Sequence, residues 1–414
     1  MAKHSVTIPK TADILIAGGG YVGLTCAVSI ADAAPHLKIL IVDPVPEKIV
    51  EKDERASAIA SAATRMLDQL GVWPQLSKYA QPINDMIVTD SKLSDITRPV
   101  FLNFANDPEN TDGPFAHMLE NRYLVKSLRK KADELGILRI SEDSVSGFEE
   151  QPAAMQVNLN SGKSITVKLL VACDGVRSRL RDHAGIKTVH WPYDQSGIVC
   201  TIKHERDHNG RAEEHFLPAG PFAILPLTDN RSSLVWTESS RNADKLLEAD
   251  PLIFESELEQ RFGHKLGDFE VASSVKKFPL GLTLAREYVR NRIVLAGDAA
   301  HGIHPIAGQG LNLGFKDAAA LAQTVVEADR LGQDFGTLDV LERYQQWRRF
   351  DTVQMGVVTD VLNRLFSNDN DFLRAIRGIG LGIVDRLPEL KKQFINTAEG
   401  KSNSEPKLLR GQAI

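Results

Sequence analysis

Apolar and polar positions set out the first elements of the chain in quick succession. Residues 13–17 read DILIA, an apolar run of strand length, and a glycine-rich stretch follows. LTCAVSIADAA then continues as a helix, and a second apolar strand at 38–42 ends at Asp43. The pattern predicts a strand–turn–helix–strand unit of about thirty residues. Residues 155–160 and 164–169 alternate apolar and polar positions around Asn160-Ser161-Gly162-Lys163, which predicts a β-hairpin. It leads into a buried strand, LLVACDG, ending at Asp174-Gly175. From about 185 to 280 the chain is mostly strand-like, with apolar pieces at 216–227 and 234–237 broken by Gly and Pro. A further buried strand at 292–295 runs into Ala296-Gly297-Asp298. An apolar helix is predicted from Leu311 to about Ala328, two or three more across 338–394, and a polar, frayed tail from about Ala398.

The first unit carries chemistry. Gly18, Gly20 and Gly23 stand in GxGxxG spacing between strand and helix, and Asp43 follows at the end of the next strand. Gly18 allows a tight turn, Gly20 lets a pyrophosphate approach the backbone, and Gly23 lets the helix pack close to the strand. The helix N-terminus offers free N–H groups to phosphates. Asp43 is placed to accept hydrogen bonds from ribose hydroxyls. The reading is a dinucleotide site.

Composition narrows the alternatives. The 414 residues carry a formal net charge of −5, so nothing marks a nucleic-acid binder. Cys26, Cys173 and Cys200 lack any CxxC or zinc spacing and read as buried thiols in a reducing compartment. The N-terminus has no apolar signal region, and no apolar run is long enough to span a membrane. The expectation is a cytoplasmic protein.

A second stretch, LAGDAAHGIHPIAGQGLN at 295–312, admits three readings. Metal is disfavoured: His301 and His304 are three apart, but Pro305 and several glycines keep them off a regular helix, and no third ligand is clear. A serine hydrolase is disfavoured because no GxSxG elbow occurs. The remaining reading is a second phosphate-type cradle, with Asp298 at a strand's carboxyl end and GQGLN bringing a helix N-terminus to the ligand. Two such cradles so far apart fit one long ligand, FAD, better than NAD. The plainer alternative is that Asp298 caps the turn that follows it.

These residues carry a family resemblance. The chain resembles the single-component flavin-dependent aromatic hydroxylases similar to para-hydroxybenzoate hydroxylase. Three motifs match: Gly18, Gly20 and Gly23; the DGxxSxxR run Asp174-Gly175-Val176-Arg177-Ser178-Arg179-Leu180-Arg181; and Gly297-Asp298. HPIAGQGLNLG and the arginine of Asn121-Arg122-Tyr123-Leu124 are most similar to the ubiquinone-biosynthesis hydroxylases of the UbiH/UbiF type, and the likeness extends to LNRLFSNDN and RGIGLGIVDRLPELKK. Asp43 stands where many members have Glu, and the middle glycine of GGG is extra freedom. No WxWxIP segment of the flavin halogenases is present.

The resemblance implies an α/β architecture: a Rossmann-like FAD-binding domain at 1–76, 116–184 and 285–345, an inserted β-sheet substrate domain at 77–115 and 185–284, C-terminal helices at 346–397 and a flexible tail at 398–414. It implies hydroxylation of a (poly)prenylated phenol in ubiquinone biosynthesis, with NAD(P)H and oxygen, through a flavin C4a-hydroperoxide. Gly18, Gly20, Gly23 and Asp43 would hold the ADP half, with Arg55 and Arg122 on pyrophosphate or nearby hydroxyls. Asp174 and Gly175 lie in the motif linked to both nucleotides. Gly297 and Asp298 would serve the ribityl chain, and Gly310, Leu311 and Asn312 the isoalloxazine. Arg177 and Arg181 are candidates for NAD(P)H phosphates or are surface salt bridges. Phe222, Ile224, Leu225 and Pro226 are candidate pocket walls, as are Trp191 and Trp236 unless they are core. No convincing catalytic base is visible; His215 is a packed or surface residue unless it serves as one. The C-terminal helices would rest on a membrane's inner face, on a biosynthetic partner complex, or on the core. A flavin-dependent reductase of an isoprenoid substrate and a non-catalytic flavoprotein subunit are the competing readings.

Overall fold

The computed structural model describes residues 8–90, 93, 100–105, 113–303, 309–366 and 405–414. Its first sheet has eight strands. The main path runs Val289–Arg290, Ile293–Leu295, Ser164–Ala172, Thr11–Ala17, Ile39–Asp43, Leu138–Ser141. Thr11–Ala17 is flanked in parallel by Ile39–Asp43 and Ser164–Ala172, and the latter pairs in parallel with Ile293–Leu295. These strands are buried along most of their length, which is why they read as unbroken apolar runs. Parallel pairing has a direct consequence: Gly18, Asp43, Asp174 and Asp298 all follow the carboxyl ends of neighbouring strands. That edge is where open α/β sheets bind ligands.

The hairpin at 155–169 forms, but its second arm and the buried strand after it are one strand, Ser164–Ala172. The helix Gln309–Arg330 packs along the opening helix Tyr21–Ala33.

A second sheet of nine strands takes in Asp85–Asp90, Val100–Ala105 and the strands between Thr188 and Ala285. His301–Gly302 pairs onto its edge at Leu284 and Thr283, tying the Gly297-Asp298 loop to this sheet. Helices Ser240–Glu248 and Pro251–Phe262 cover one face, around Ile198, Phe222, Leu234, Trp236, Phe254 and Leu258. A small third sheet joins Ala56–Ala60, Ala116–Glu120 and Gln81–Ile83.

The C-terminal region departs from the sequence reading. Leu338–Phe366 is a single helix, and the helices expected beyond it fall on residues 367–404, outside the described residues. Residues 405–414 are not a frayed tail. Leu408 and Leu409 are 3% and 1% exposed, Arg65 Nε donates to the Leu409 carbonyl at 3.1 Å, and Lys316 pairs with Glu405. Two adjacent leucines on one short turn bury enough apolar surface to dock an otherwise polar segment. Among the described residues no helix is long and apolar enough to cross a membrane.

Candidate active site

The glycine turn is shaped by close backbone approaches. Gly18 sits at φ +114°, and a Cβ there would run into the Cys173 carbonyl. A Cβ on Gly23 would run into the Gly18 carbonyl. A Cβ on Gly20, by contrast, meets nothing within 4 Å. Gly19 is more than added freedom: its N–H donates to Asp43 Oδ2 at 2.6 Å, and a Cβ would stand 2.6 Å from the same oxygen. Asp43 Oδ1 also accepts the Val45 N–H at 2.7 Å. The helix Tyr21–Ala33 starts with no side-chain cap and no acid in its first turn, so its positive end is open to an anion.

A cavity of about 920 Å3 opens above this turn. Gly18, Gly20, Asp43, Arg55, Asp174 and Gly175 line it, with Arg177 and Arg179 at another wall. Arg55 is clamped by Asp53, with Nε–Oδ1 at 2.8 Å and Nη2–Oδ2 at 2.7 Å, which raises the guanidinium pKa. Arg122 does not line this cavity. Its Nη2 donates to Glu120 Oε1 at 2.8 Å, and it faces a separate depression of about 220 Å3 beside Lys126 and Arg129.

The DGxxSxxR run folds as a cap. Asp174 Oδ1 accepts the Ser178 hydroxyl at 2.6 Å, and Ser178 Oγ in turn accepts the Arg181 N–H at 3.0 Å. Arg181 is 6% exposed, and its Nη1 donates to the carbonyls of Val176 at 3.0 Å and Ala299 at 3.2 Å. It staples this turn to the Gly297-Asp298 loop, and its guanidinium is spent there rather than on a phosphate. Arg179, which the sequence reading passed over, takes a place on the cavity wall instead.

The second turn lies beside the first. Gly297 has φ +61°, its N–H donates to Asp317 Oδ2 at 2.8 Å, and a Cβ would stand 3.1 Å from Val22. Asp298 faces a second chamber of about 440 Å3, which Tyr21 shares with the first. The residue is exposed at the rim of that space; crowding by the surrounding protein raises its pKa, while His301 and Arg55 oppose the rise. Tyr21 is pushed up to about 12, chiefly by burial and then by Asp298. Gly310, Leu311 and Asn312 line the same chamber. Asn312 clasps the strand Ala56–Ala60: Oδ1 accepts from Ala60 N and Nδ2 donates to the Ala58 carbonyl, both at 2.9 Å.

A model of the family described as FAD binding domain matches residues 11–351. The chain is 41% identical over 409 residues to the "Ubiquinone hydroxylase UbiL" of Rhodospirillum rubrum, covering 97% of this chain and 93% of that one. The chain belongs to the FAD-dependent aromatic hydroxylases. Within them its relatives include the "Ubiquinone biosynthesis monooxygenase COQ6, mitochondrial" of Danio rerio, 32% identical over 92% of this chain and 88% of that one. They also include the "3-demethoxyubiquinol 3-hydroxylase" of Escherichia coli, 32% identical over 94% and 98%. The fold matches the solved p-nitrophenol 4-monooxygenase PnpA of Pseudomonas putida with a TM-score of 0.79, at 18% identity, over 95% of this chain and 100% of that chain.

Beneath the second turn the hydroxylase carries a buried charge cluster that the sequence reading missed. Asp317 Oδ2 lies 2.5 Å from His301 Nε2, and Oδ1 accepts from Arg348 Nε at 2.8 Å. Burial works against ionisation of Asp317, but His301 and Arg348 outweigh it and hold the carboxyl below its ordinary value. The signal was faint, because only His301 lies in the glycine-rich stretch, while Asp317 and Arg348 follow 16 and 47 residues later with no motif to tie them to it.

The far wall of the second chamber corrects several residue assignments. On the strand Gly220–Leu227, Pro221, Ala223 and Leu225 face the chamber. Phe222 and Ile224 point the other way, into the helix-covered core, and Pro226 shares their side of the pleat. Trp236 is in that core too, with the Arg261 guanidinium 4.2 Å from its ring centre, while Trp191 is 51% exposed. His215 is packed against Thr89, Nδ1 to Oγ1 at 2.7 Å, and does not line the chamber. Glu214 and Thr237 do line it, and the sequence reading named neither. Among the described residues no three His, Cys, Asp or Glu side chains gather as a metal site; His304 lies outside them.

Proposed function

We propose that this hydroxylase acts on the aromatic ring of a prenylated phenol, with FAD bound across both chambers and NAD(P)H and oxygen as co-substrates. The supporting observation is one edge of one sheet: four neighbouring strands deliver Gly18, Asp43, Asp174 and Asp298 to it, and two chambers meet there at Tyr21.

FAD fits these residues. The space above Gly20 and the uncapped helix start suit a pyrophosphate, and Asp43 suits a ribose. Asp298 suits a ribityl hydroxyl, and the helix start at Gly310, Leu311 and Asn312 suits the ring's electron-rich edge. Bound flavin supplies the oxygen activation. The protein's part is to orient the phenol in the second chamber and to keep water from it. Arg177 and Arg179, open in the first cavity, are the cations available to NAD(P)H phosphates there. A prenyl tail is drawn from lipid, so we place the enzyme at the inner face of a membrane, within reach of other quinone-forming enzymes.

The test is reconstitution. FAD-loaded protein given NADH, oxygen and 2-geranylphenol should consume oxygen in step with a product one oxygen heavier. Reduction of an isoprenoid without oxygen uptake would favour the reductase reading. Full rescue of a quinone-deficient strain by a flavin-free variant would favour the non-catalytic one. Vesicle flotation of the intact chain checks the membrane placement.

A further inference from the structure

The floor of the second chamber is one face of the nine-stranded sheet, and it is long. The strand Lys276–Ala285 stands at one side, paired with His301–Gly302 of the Asp298 loop, and supplies Gly281 to the floor. Thr237, Ala223, Ala212 and Met86 follow on the strands Arg231–Ser239, Gly220–Leu227, Arg211–Leu217 and Asp85–Asp90. The register sets Ala223 opposite Val235 on one side and Glu214 on the other, with Ala212 opposite Met86. From the strand of Gly281 to that of Met86 is five steps, roughly 24 Å across the sheet. An aromatic ring covers only a small part of that span.

The two ends differ in character. Asp298 and Asn312 line the chamber at the nucleotide end, and Thr237 lies only two strands from Lys276–Ala285. Thr237 is 2% exposed, and its Oγ1 has no hydrogen-bond partner among the described residues. At the other end everything is apolar: Ala212 and Met86 cluster with Ile83, Phe115, Ala116 and Leu225. Glu214 stands midway and has a partner of its own. A ligand with one polar and one greasy end therefore fits one way round. Reversed, its apolar part would strip water from Asp298 and leave the Thr237 hydroxyl unpaired. At the apolar end Ile83 is 3% exposed and held in a paired strand, whereas Met86 is half-buried and unbranched, the side chain there that can most readily change rotamer.

We propose that the substrate lies across the strands, its phenol ring at the Thr237 side next to the Asp298 loop and its prenyl tail running over Ala223 to Ala212, with Met86 limiting how much tail the chamber accepts. This rests on the hydroxylase reading above. Each isoprene unit laid on the apolar end removes more surface from water and adds affinity. Units beyond Met86 have no wall to lie on and add little.

The test compares wild type, Met86→Trp and Met86→Ala, each loaded with FAD. Binding of phenol, 2-geranylphenol and 2-farnesylphenol is followed by the flavin absorption spectrum, without turnover. Wild type should favour 2-geranylphenol over phenol by about tenfold or more, with 2-farnesylphenol within a few-fold of it. Met86→Trp should cut the preference for 2-geranylphenol over phenol by about tenfold or more. Met86→Ala should raise the 2-farnesylphenol to 2-geranylphenol ratio several-fold. An unchanged preference in Met86→Trp overturns the proposal. Equal weakening of phenol and 2-geranylphenol overturns it too, because the ring would then sit at Met86. If Met86→Trp fails to take up flavin, Met86→Ala decides, and an unchanged ratio there overturns the proposal. If the tail preferences shift as expected but NADH and oxygen give no oxygenated product, the placement stands and the hydroxylase reading falls. Hydroxylated product with tail preferences untouched by either variant has the reverse meaning.

Discussion

Val22 fills the space in which a side chain on Gly314 would sit: a Cβ built on Gly314 stands 2.5 Å from Val22 Cγ2. The same valine stands against Gly297. One residue of the first glycine turn thus fixes how closely the second turn and its helix can approach. Gly314→Ala within a helix ordinarily gains about 1 kcal/mol. Here it should instead destabilise by about 1–3 kcal/mol through overpacking, and Val22→Ala in the same chain should recover much of the loss. Denaturant unfolding of the two single variants and the double variant measures the coupling; additive effects would contradict the contact.

Asp298 sets function against stability. Its folded pKa is raised, so the stability linked to it is present below the ordinary carboxylate value of 3.8 and is lost as pH rises through the raised value. At neutral pH the ionised group is a cost to the flavin-free protein. Asp298→Asn should melt no lower than wild type without flavin, yet bind FAD about tenfold or more weakly. Thermal melts and fluorescence titration give both numbers.

Asp317 has the opposite sign. Its folded pKa lies below 3.8, so its contribution is present above that value and is lost as pH falls through the lowered one. Asp317→Asn leaves Arg348 buried without its carboxylate and should cost about 3–5 kcal/mol at pH 7. Its stability should also fall less steeply than wild type's below pH 3.8.

The two faces of the strand Gly220–Leu227 should separate by mutation. Phe222→Ala should cost about 3–5 kcal/mol of stability and leave substrate preference alone. Ala223→Phe should fill the chamber, raising KM for 2-geranylphenol while FAD affinity holds. Steady-state kinetics beside unfolding curves distinguishes them.

Arg181 and its neighbours divide in the same way. Arg181→Ala should lower the melting temperature and loosen flavin, because two carbonyls lose their donor. Arg177→Ala and Arg179→Ala should raise KM for NAD(P)H several-fold with flavin retained.

What the sequence disclosed depended on how local the constraint was. Gly18, Gly20 and Gly23 were legible because one short turn dictates all three. The chamber walls were not: residues 216–227 are apolar on both sides, one facing helices and the other a cavity, so no alternation marks the inner face. Glu214 hid beside Glu213, since adjacent acids read as a solvated strand edge. Arg181 looked like a phosphate ligand because its two acceptors are backbone carbonyls, which leave no trace in side-chain identity. Leu408 and Leu409 were lost in polar surroundings too short to show a period.

The parallel order of the first sheet also sets a schedule for biosynthesis. Thr11–Ala17 is made well before its neighbour Ser164–Ala172, and Ile293–Leu295 and Asp317 come later still. A nascent chain has half a nucleotide cradle and a glycine turn whose valine has nothing to press against. The cradle for flavin is therefore whole only in chains extended past Asp317, and a chain stopped short of it should purify colourless.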